Sequence, residues 1–239
     1  MLRHLLPTKP LASLCLLILP SLLAAQPTGR VRPRDRNRDV LMTTTEGTLR
    51  LRLSDATPVH RDNFIRLVRS GFYKGVLFHR VIPGFMAQAG DARTRPEGSR
   101  GLGRLDSAYT LPAEFRPELF HRRGALAAAR MGDNVNPAKA SSGTQFYIVQ
   151  GRVFNEASLD SVETFRLMGR KLPAEHRQVY MSAGGAPHLD QNYTVFGEVV
   201  EGMDVIDRIA AQPTSGRQGG DKPRAAIRIL RTSMVRKRD

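Results

Sequence analysis

The chain has 239 residues, 41% of them hydrophobic and 25% charged, enough for one substantial core or at most two small ones. Its single cysteine, Cys15, excludes an intramolecular disulfide and a cysteine-built metal site; the six histidines show no H-E-x-x-H spacing, so neither a catalytic metal nor a cofactor is expected. The formal net charge of +15 raises nucleic-acid binding, but the one dense basic run, Arg30, Arg32, Arg34, Arg36 and Arg38, has no interleaved aromatics on which bases could stack, and no specific nucleic-acid partner is expected.

The N-terminus reads as an export signal. Arg3, His4 and Lys9 form a basic region, Leu11 to Leu23 is apolar, and Ala24-Ala25 supplies small residues before Gln26. The apolar run is short for a membrane span and is interrupted by Pro20. A signal peptide over 1–25 predicts a periplasmic or secreted mature protein that meets the membrane only through this signal, without cysteine, as suits an oxidising compartment. Residues 26–39, rich in Pro, Arg, Asp and Asn, read as a solvated linker, so the folded domain is expected over 40–235.

That domain begins with a hairpin, Val40 to Thr45 and Thr48 to Leu53 around Glu46-Gly47, whose second arm alternates apolar and basic residues. Pro58 to Ser70 has helical spacing, with Val59, Phe64, Leu67 and Val68 as its apolar face and Gly71 as the stop. Short apolar runs follow at Val76 to Ile82, Phe85 to Gln88, Gly124 to Ala129, Gln145 to Gln150 and Thr194 to Val200. A helical piece, Met203 to Ala210, and a strand, Ala226 to Leu230, complete the domain. Many short strands with few helices predict a mainly β chain, a closed antiparallel barrel with helices on its ends. Val153 to Pro187 stands apart: Leu159, Val162, Phe165, Leu167, Met168, Leu172 and Val179 recur at helical spacing and predict a helical insertion between two strands.

The stretch from Phe78 to Asp91, Phe-His-Arg-Val-Ile-Pro-Gly-Phe-Met-Ala-Gln-Ala-Gly-Asp, puts a guanidinium, large apolar side chains and an amide close together. Strand alternation sends Arg80 and Ile82 one way and His79 and Val81 the other; beyond the Pro83-Gly84 turn, Met86 and Gln88 share a face that can converge on what Arg80 addresses. An apolar patch beside a fixed donor fork suits a proline-containing peptide.

This stretch closely resembles the cyclophilin signature. Asn63-Phe64 with Gly71-Phe72-Tyr73, Gly124 to Arg130, Ser141 to Ile148, and Thr194 to Val205 resemble further segments of that family in its order. The resemblance implies an eight-stranded antiparallel barrel closed by two helices and a peptidyl-prolyl cis-trans isomerase, a rotamase acting on proline-containing polypeptides; with the export signal, it is expected to assist the folding of exported proteins, as a monomer. It implies that Arg80 is the catalytic arginine, that Phe85, Met86, Tyr147 and Leu189 wall the proline pocket, that Gln88 bonds the peptide, and that Gln145 supports it. Ala129 and Arg130 correspond to the backbone edge that grips the substrate.

His188 occupies a position that is often Trp in the family, which implies weak sensitivity to cyclosporin, and Tyr193 stands where many members have His. Tyr147 stands where Phe is more frequent, so its hydroxyl needs a partner; Ala89 replaces a usual Gly. Two other readings remain open. His79 or His188 with Ser141, Ser142 or Asp91 suggests a hydrolase, though no G-x-S-x-G elbow is present. A proline-binding scaffold would keep the pocket without depending on turnover, with the insertion, which precedes His188 and Leu189, narrowing substrate choice.

Overall fold

The computed structural model describes residues 31–96 and 109–238; the signal-peptide expectation lies outside these residues. Ten strands run in chain order: β1 (Arg38–Thr44), β2 (Gly47–Leu53), β3 (Arg80–Ile82), β4 (Met86–Ala89), β5 (Thr110–Leu111), β6 (Ala125–Ala128), β7 (Ser141–Ser142), β8 (Phe146–Val149), β9 (Val195–Glu201) and β10 (Ile229–Arg236). The helices are α1 (Pro58–Arg69), α2 (Glu156–Phe165), α3 (Ala174–Ser182) and α4 (Met203–Ala210). Eight strands form one antiparallel sheet in the order β10-β1-β2-β9-β6-β8-β4-β3, and β5 pairs with β7.

The sheet curls into a half-barrel and does not close. Its edge strands β3 and β10 are not paired; ahead of them Leu77 and Arg228 form a single bridge, and Phe78 N–H donates to the Ile227 carbonyl at 2.9 Å. The reason lies in the chain before β3: Gly71 and Gly75 take positive φ in a turn over 71–75, so Val76 to Phe78, expected as strand, reach the far edge through one bridge and not a ladder. The last strand begins at Ile229 and continues to Arg236, well beyond the expected Leu230, because all seven residues of β1 pair along it.

Two-residue alternation divides the side chains between two cores. Val81, Ala87, Ala89, Leu126, Ala128, Phe146, Ile148 and Phe196 point inside, where they meet Phe64, Leu67 and Val68 of α1 and Val205, Ile206 and Ile209 of α4. The other face of the same strands carries Met86, Ala125, Ala127, Tyr147, Val149 and Val195, a second buried cluster. The first helix starts at Pro58, where the ring's fixed φ suits the first turn, and Glu114 accepts the amides of Val59 and His60 at 3.1 and 2.9 Å. Its buried face includes His60, Arg61, Asn63 and Ile65, while Val59, expected inside, is exposed.

Residues 31–39 are not a solvated linker. Asp35 is fully buried, accepts from Arg69 Nε at 3.1 Å and from the Arg32 amide at 3.0 Å, and Arg36 pairs with Asp62 at 2.7 Å. Arg38 and Asp39 already belong to β1, and the buried Asp39 carboxylate accepts from Arg52 at 3.1 Å. Polar composition suggested solvent, but Asp35, Arg36 and Asp39 each have a partner on the domain.

The insertion folds as two helices around a small core of its own, Phe154, Leu159, Leu167, Leu172 and Tyr180. Asn155 caps α2, exchanging bonds of 2.9 Å with Ser158 in both directions. Helical spacing also suggested Phe165 and Met168 for this core, yet they are 80% and 95% exposed.

Candidate active site

Strand register builds the site. Arg80 pairs with Gln88, Gln88 with Tyr147, and Tyr147 with Ala127, one row across β3, β4, β8 and β6. Ile82, Met86 and Val149 form the next row on the same face. Neighbouring strands lie about 4.8 Å apart, so the backbone positions that carry Arg80, Gln88 and Tyr147 follow at single strand spacings.

The Arg80 side chain is 44% exposed, and its one ion pair among the described residues is with Asp221, Nε to Oδ2 at 3.6 Å. That is beyond hydrogen-bonding distance. No hydrogen bond to the guanidinium occurs among the described residues, so the donor fork faces solvent, oriented from one side. Gln88 is held differently: its Nε2 donates to Gln145 Oε1 at 3.1 Å, and the Gln145 amide donates to Ser142 Oγ at 3.1 Å. Gln145 therefore fixes which end of the Gln88 amide faces outward.

Beside this pair lies the apolar cluster. Met86, Tyr147 and Leu189 are buried in it, and Ile82, Phe85, Leu119 and Tyr193 pack half-buried against it. The Pro83-Gly84 turn that presents Phe85 is tied down by Gln150: Gly84 N–H donates to Gln150 Oε1 at 2.7 Å, and the Gln150 amide donates to the Phe85 carbonyl at 3.0 Å. His188 packs its ring 5.3 Å from that of Phe85. Burial, helped by the charge of Arg166, lowers its pKa to about 4. It is therefore a neutral wall at physiological pH.

One assignment changes. Both backbone groups of Ala129 are engaged within the protein: its N–H donates to the Gln145 carbonyl at 3.0 Å and its carbonyl accepts from Ser142 N–H at 2.7 Å. The main chain of Arg130 has no such partner among the described residues, so the free backbone edge is Arg130. Its guanidinium lies 4.4 Å over the Tyr193 ring and donates to the Asn192 carbonyl at 2.7 Å. Tyr193 is thereby a packed platform.

The Tyr147 hydroxyl has a partner that sequence reasoning missed. It lies 2.9 Å from His121 Nε2, and His121 Nδ1 lies 2.9 Å from Asp190 Oδ1. Asp221, behind Arg80, was also missed. Neither carries a local motif; chain folding alone brings them in. The hydrolase grouping does not form: Ser142 Oγ accepts from the Thr144 and Gln145 amides, and neither Ser141 nor Ser142 hydrogen-bonds a histidine among the described residues.

The sequence profile of the cyclophilin type peptidyl-prolyl cis-trans isomerase family matches residues 39–234. A protein of Staphylococcus saprophyticus described as a peptidyl-prolyl cis-trans isomerase is 36% identical over 174 residues, covering 72% of this chain and 80% of its own length. A bifunctional phosphatase/peptidyl-prolyl cis-trans isomerase of Streptococcus pyogenes is 35% identical over 80% of this chain; the match spans only 37% of that longer protein. Among solved structures, a Cryptosporidium parvum cyclophilin type isomerase superposes with a TM-score of 0.58 at 25% identity, over 84% of this chain and 99% of its own. A second structure of that cyclophilin was obtained in the presence of the dipeptide Ala-Pro, with a TM-score of 0.56. The chain belongs to the cyclophilin-type peptidyl-prolyl cis-trans isomerase family.

Proposed function

We propose that this isomerase speeds rotation about X-Pro bonds by offering Arg80 to the twisted peptide bond while the Met86, Phe85, Tyr147 and Leu189 face holds the proline ring. Rotation about a peptide C–N bond meets a barrier of about 18–20 kcal/mol because resonance is lost. For X-Pro the two wells differ by only about 0.5–1 kcal/mol, so lowering the barrier is the whole task. At the top of the barrier the prolyl nitrogen is pyramidal and carries a free lone pair. A guanidinium beside it bonds the twisted state and hardly the planar one, which is the condition for catalysis. Arginine remains protonated and directional here, where lysine would be a point charge. Gln88 and the Arg130 main chain hold the flanking peptide groups in this scheme.

The observation that carries this reading is the half-exposed Arg80 fork without a hydrogen bond among the described residues, one strand from Gln88 and beside an apolar face. Arg80→Ala should retain the fold and lose about a hundredfold in kcat/KM on a short X-Pro peptide, the scale set by removing one donor to a transition state. Unchanged turnover by the folded variant would refute the assignment.

The proposed setting is the folding of exported proteins, supported by the basic and apolar pattern ahead of Gln26. Cell fractionation with N-terminal sequencing should find a periplasmic or secreted form beginning near Gln26; an uncleaved cytoplasmic chain would contradict this. The exposed Phe165 and Met168 favour a second reading, a proline-binding scaffold, in which Arg80→Ala would leave the cellular role intact.

A further inference from the structure

The Tyr147–His121 contact is one link of a longer buried chain. Asp190 Oδ1 accepts from the His121 backbone N–H at 2.9 Å as well as lying 2.9 Å from Nδ1, and Asp190 Oδ2 accepts from the Tyr180 hydroxyl at 2.7 Å. His121 and Tyr180 are fully buried, and Asp190 and Tyr147 are 2% and 4% exposed. Four polar side chains therefore connect helix α3 of the insertion to the floor of the proline pocket with no water-facing member.

Chemistry fixes the direction of the bonds. An ionised carboxylate only accepts, so Nδ1 of His121 carries the proton, and in the neutral imidazole Nε2 is left to accept from the Tyr147 hydroxyl. That phenol stays protonated, since burial holds its pKa well above the ordinary value. The backbone is fitted to the same purpose. A Cβ at Gly185 would lie 2.3 Å from the His121 carbonyl oxygen and 2.5 Å from the Tyr180 ring, so only glycine lets the two elements close around the chain. The adjoining Ala186 amide donates to the His121 carbonyl at 2.8 Å, and Arg170 donates to the Asp190 carbonyl at 2.6 Å. Asp190 directly follows His188 and Leu189, the pocket wall.

We propose that Tyr180, Asp190 and His121 are positioning residues for the isomerase: their hydrogen-bond chain sets the Tyr147 ring and the Leu189 wall, which makes the insertion part of the proline pocket. The proposal deepens the function given above and rests on it. A buried polar chain with every member bonded can rigidify and specify a unique arrangement. A ring wall free to shift would weaken the hold on proline without touching the Arg80 chemistry.

The test uses the full chain, a short X-Pro peptide, and the variants Tyr180→Phe, Tyr147→Phe and their combination, with KM and kcat determined separately. Tyr180→Phe keeps the ring and lies in the insertion, apart from the proposed peptide contacts. It should raise KM three- to tenfold with kcat within twofold of the wild type. Tyr147→Phe, a residue the family carries often at this place, should act similarly, and the double variant should be no worse than the poorer single one, as two cuts in one chain would be. Nitrogen-15 NMR of the unmutated protein should show His121 protonated at Nδ1 with Nε2 as an acceptor, and Tyr180→Phe should move those ring signals. A Tyr180→Phe protein that loses stability but keeps its KM, effects that add in the double variant, or a His121 ring protonated at Nε2 alone would each overturn the proposal. If the unmutated protein shows no isomerisation, the proposed function falls, while the NMR measurement still decides whether the chain exists.

Discussion

His188 lies against Phe85 in a half-buried wall, and its environment disfavours charge, first through burial and then through Arg166. A histidine of pKa about 4 in the folded protein and about 6.5 in the unfolded chain binds its proton more readily when unfolded. Its contribution to stability is complete above about pH 6.5, declines as the pH falls, and is exhausted below about pH 4. Denaturation curves from pH 7.5 to 4 should therefore show the wild type losing stability relative to His188→Gln across that window; parallel curves would contradict this. At this scale the sequence was informative about chemistry and silent about partners. That the Tyr147 hydroxyl needed an acceptor followed from burying a phenol. That the acceptor is His121, and that Asp221 stands beside Arg80, follows only from how the folded chain brings loops to the sheet. The Ala129 assignment failed for a related reason: a main-chain group already bonded within the protein looks the same in sequence as a free one.

Among the elements, the insertion departs furthest from a plain sheet-and-helix domain. Glu163 is its hinge pin, a carboxylate 1% exposed that accepts from Lys171 at 2.8 Å, Arg177 at 2.7 Å and the Leu172 amide at 3.1 Å. Burial alone would raise its pKa, and these bonds outweigh it, holding the group down at about 2. Its support is present above about pH 4.5 and is lost as the pH falls towards 2. Glu163→Ala leaves the Leu172 amide and Lys171 without this acceptor, while Arg177 keeps Glu156 and Asp160, and should destabilise the protein by about 2 kcal/mol, read by urea denaturation at neutral pH; a change below 1 kcal/mol would contradict this role. Phe165→Ser with Met168→Ser should leave stability within about 0.5 kcal/mol, since both side chains are exposed. If the insertion selects substrates, this pair should alter the preference among longer proline-containing polypeptides while a tetrapeptide is turned over unchanged; loss on both substrates would contradict a selective role. Helical spacing disclosed α2 and α3 but not their facing. The positive φ of Met168 and Gly169 turns the chain after α2 and carries Met168 outward, an event periodicity does not record.

For the whole molecule, the curled sheet was legible because β2 alternates apolar and basic residues and β4, β6 and β8 stand as short apolar runs, and the glycines before β3 explain why closure was over-read. Residues 31–39 were misread because composition counts charges and not their partners. A chain starting at Val40 would lose Asp35 from Arg69, Arg36 from Asp62, and Asp39 from Arg50 and Arg52. It should be less stable than one starting at Arg30 by about 2 kcal/mol, since Arg69 loses the buried Asp35 carboxylate while Arg50 keeps Glu201; equal stability would restore the linker reading. The central claim is that Arg80 acts on the twisted bond alone. The most direct measurement is NMR exchange spectroscopy of an Ala-Pro peptide with wild type and Arg80→Ala, with peptide affinity determined on the same samples. The account predicts affinity changed less than threefold and exchange slowed about a hundredfold. Affinity and exchange falling together would show that Arg80 merely binds the peptide, and would contradict it.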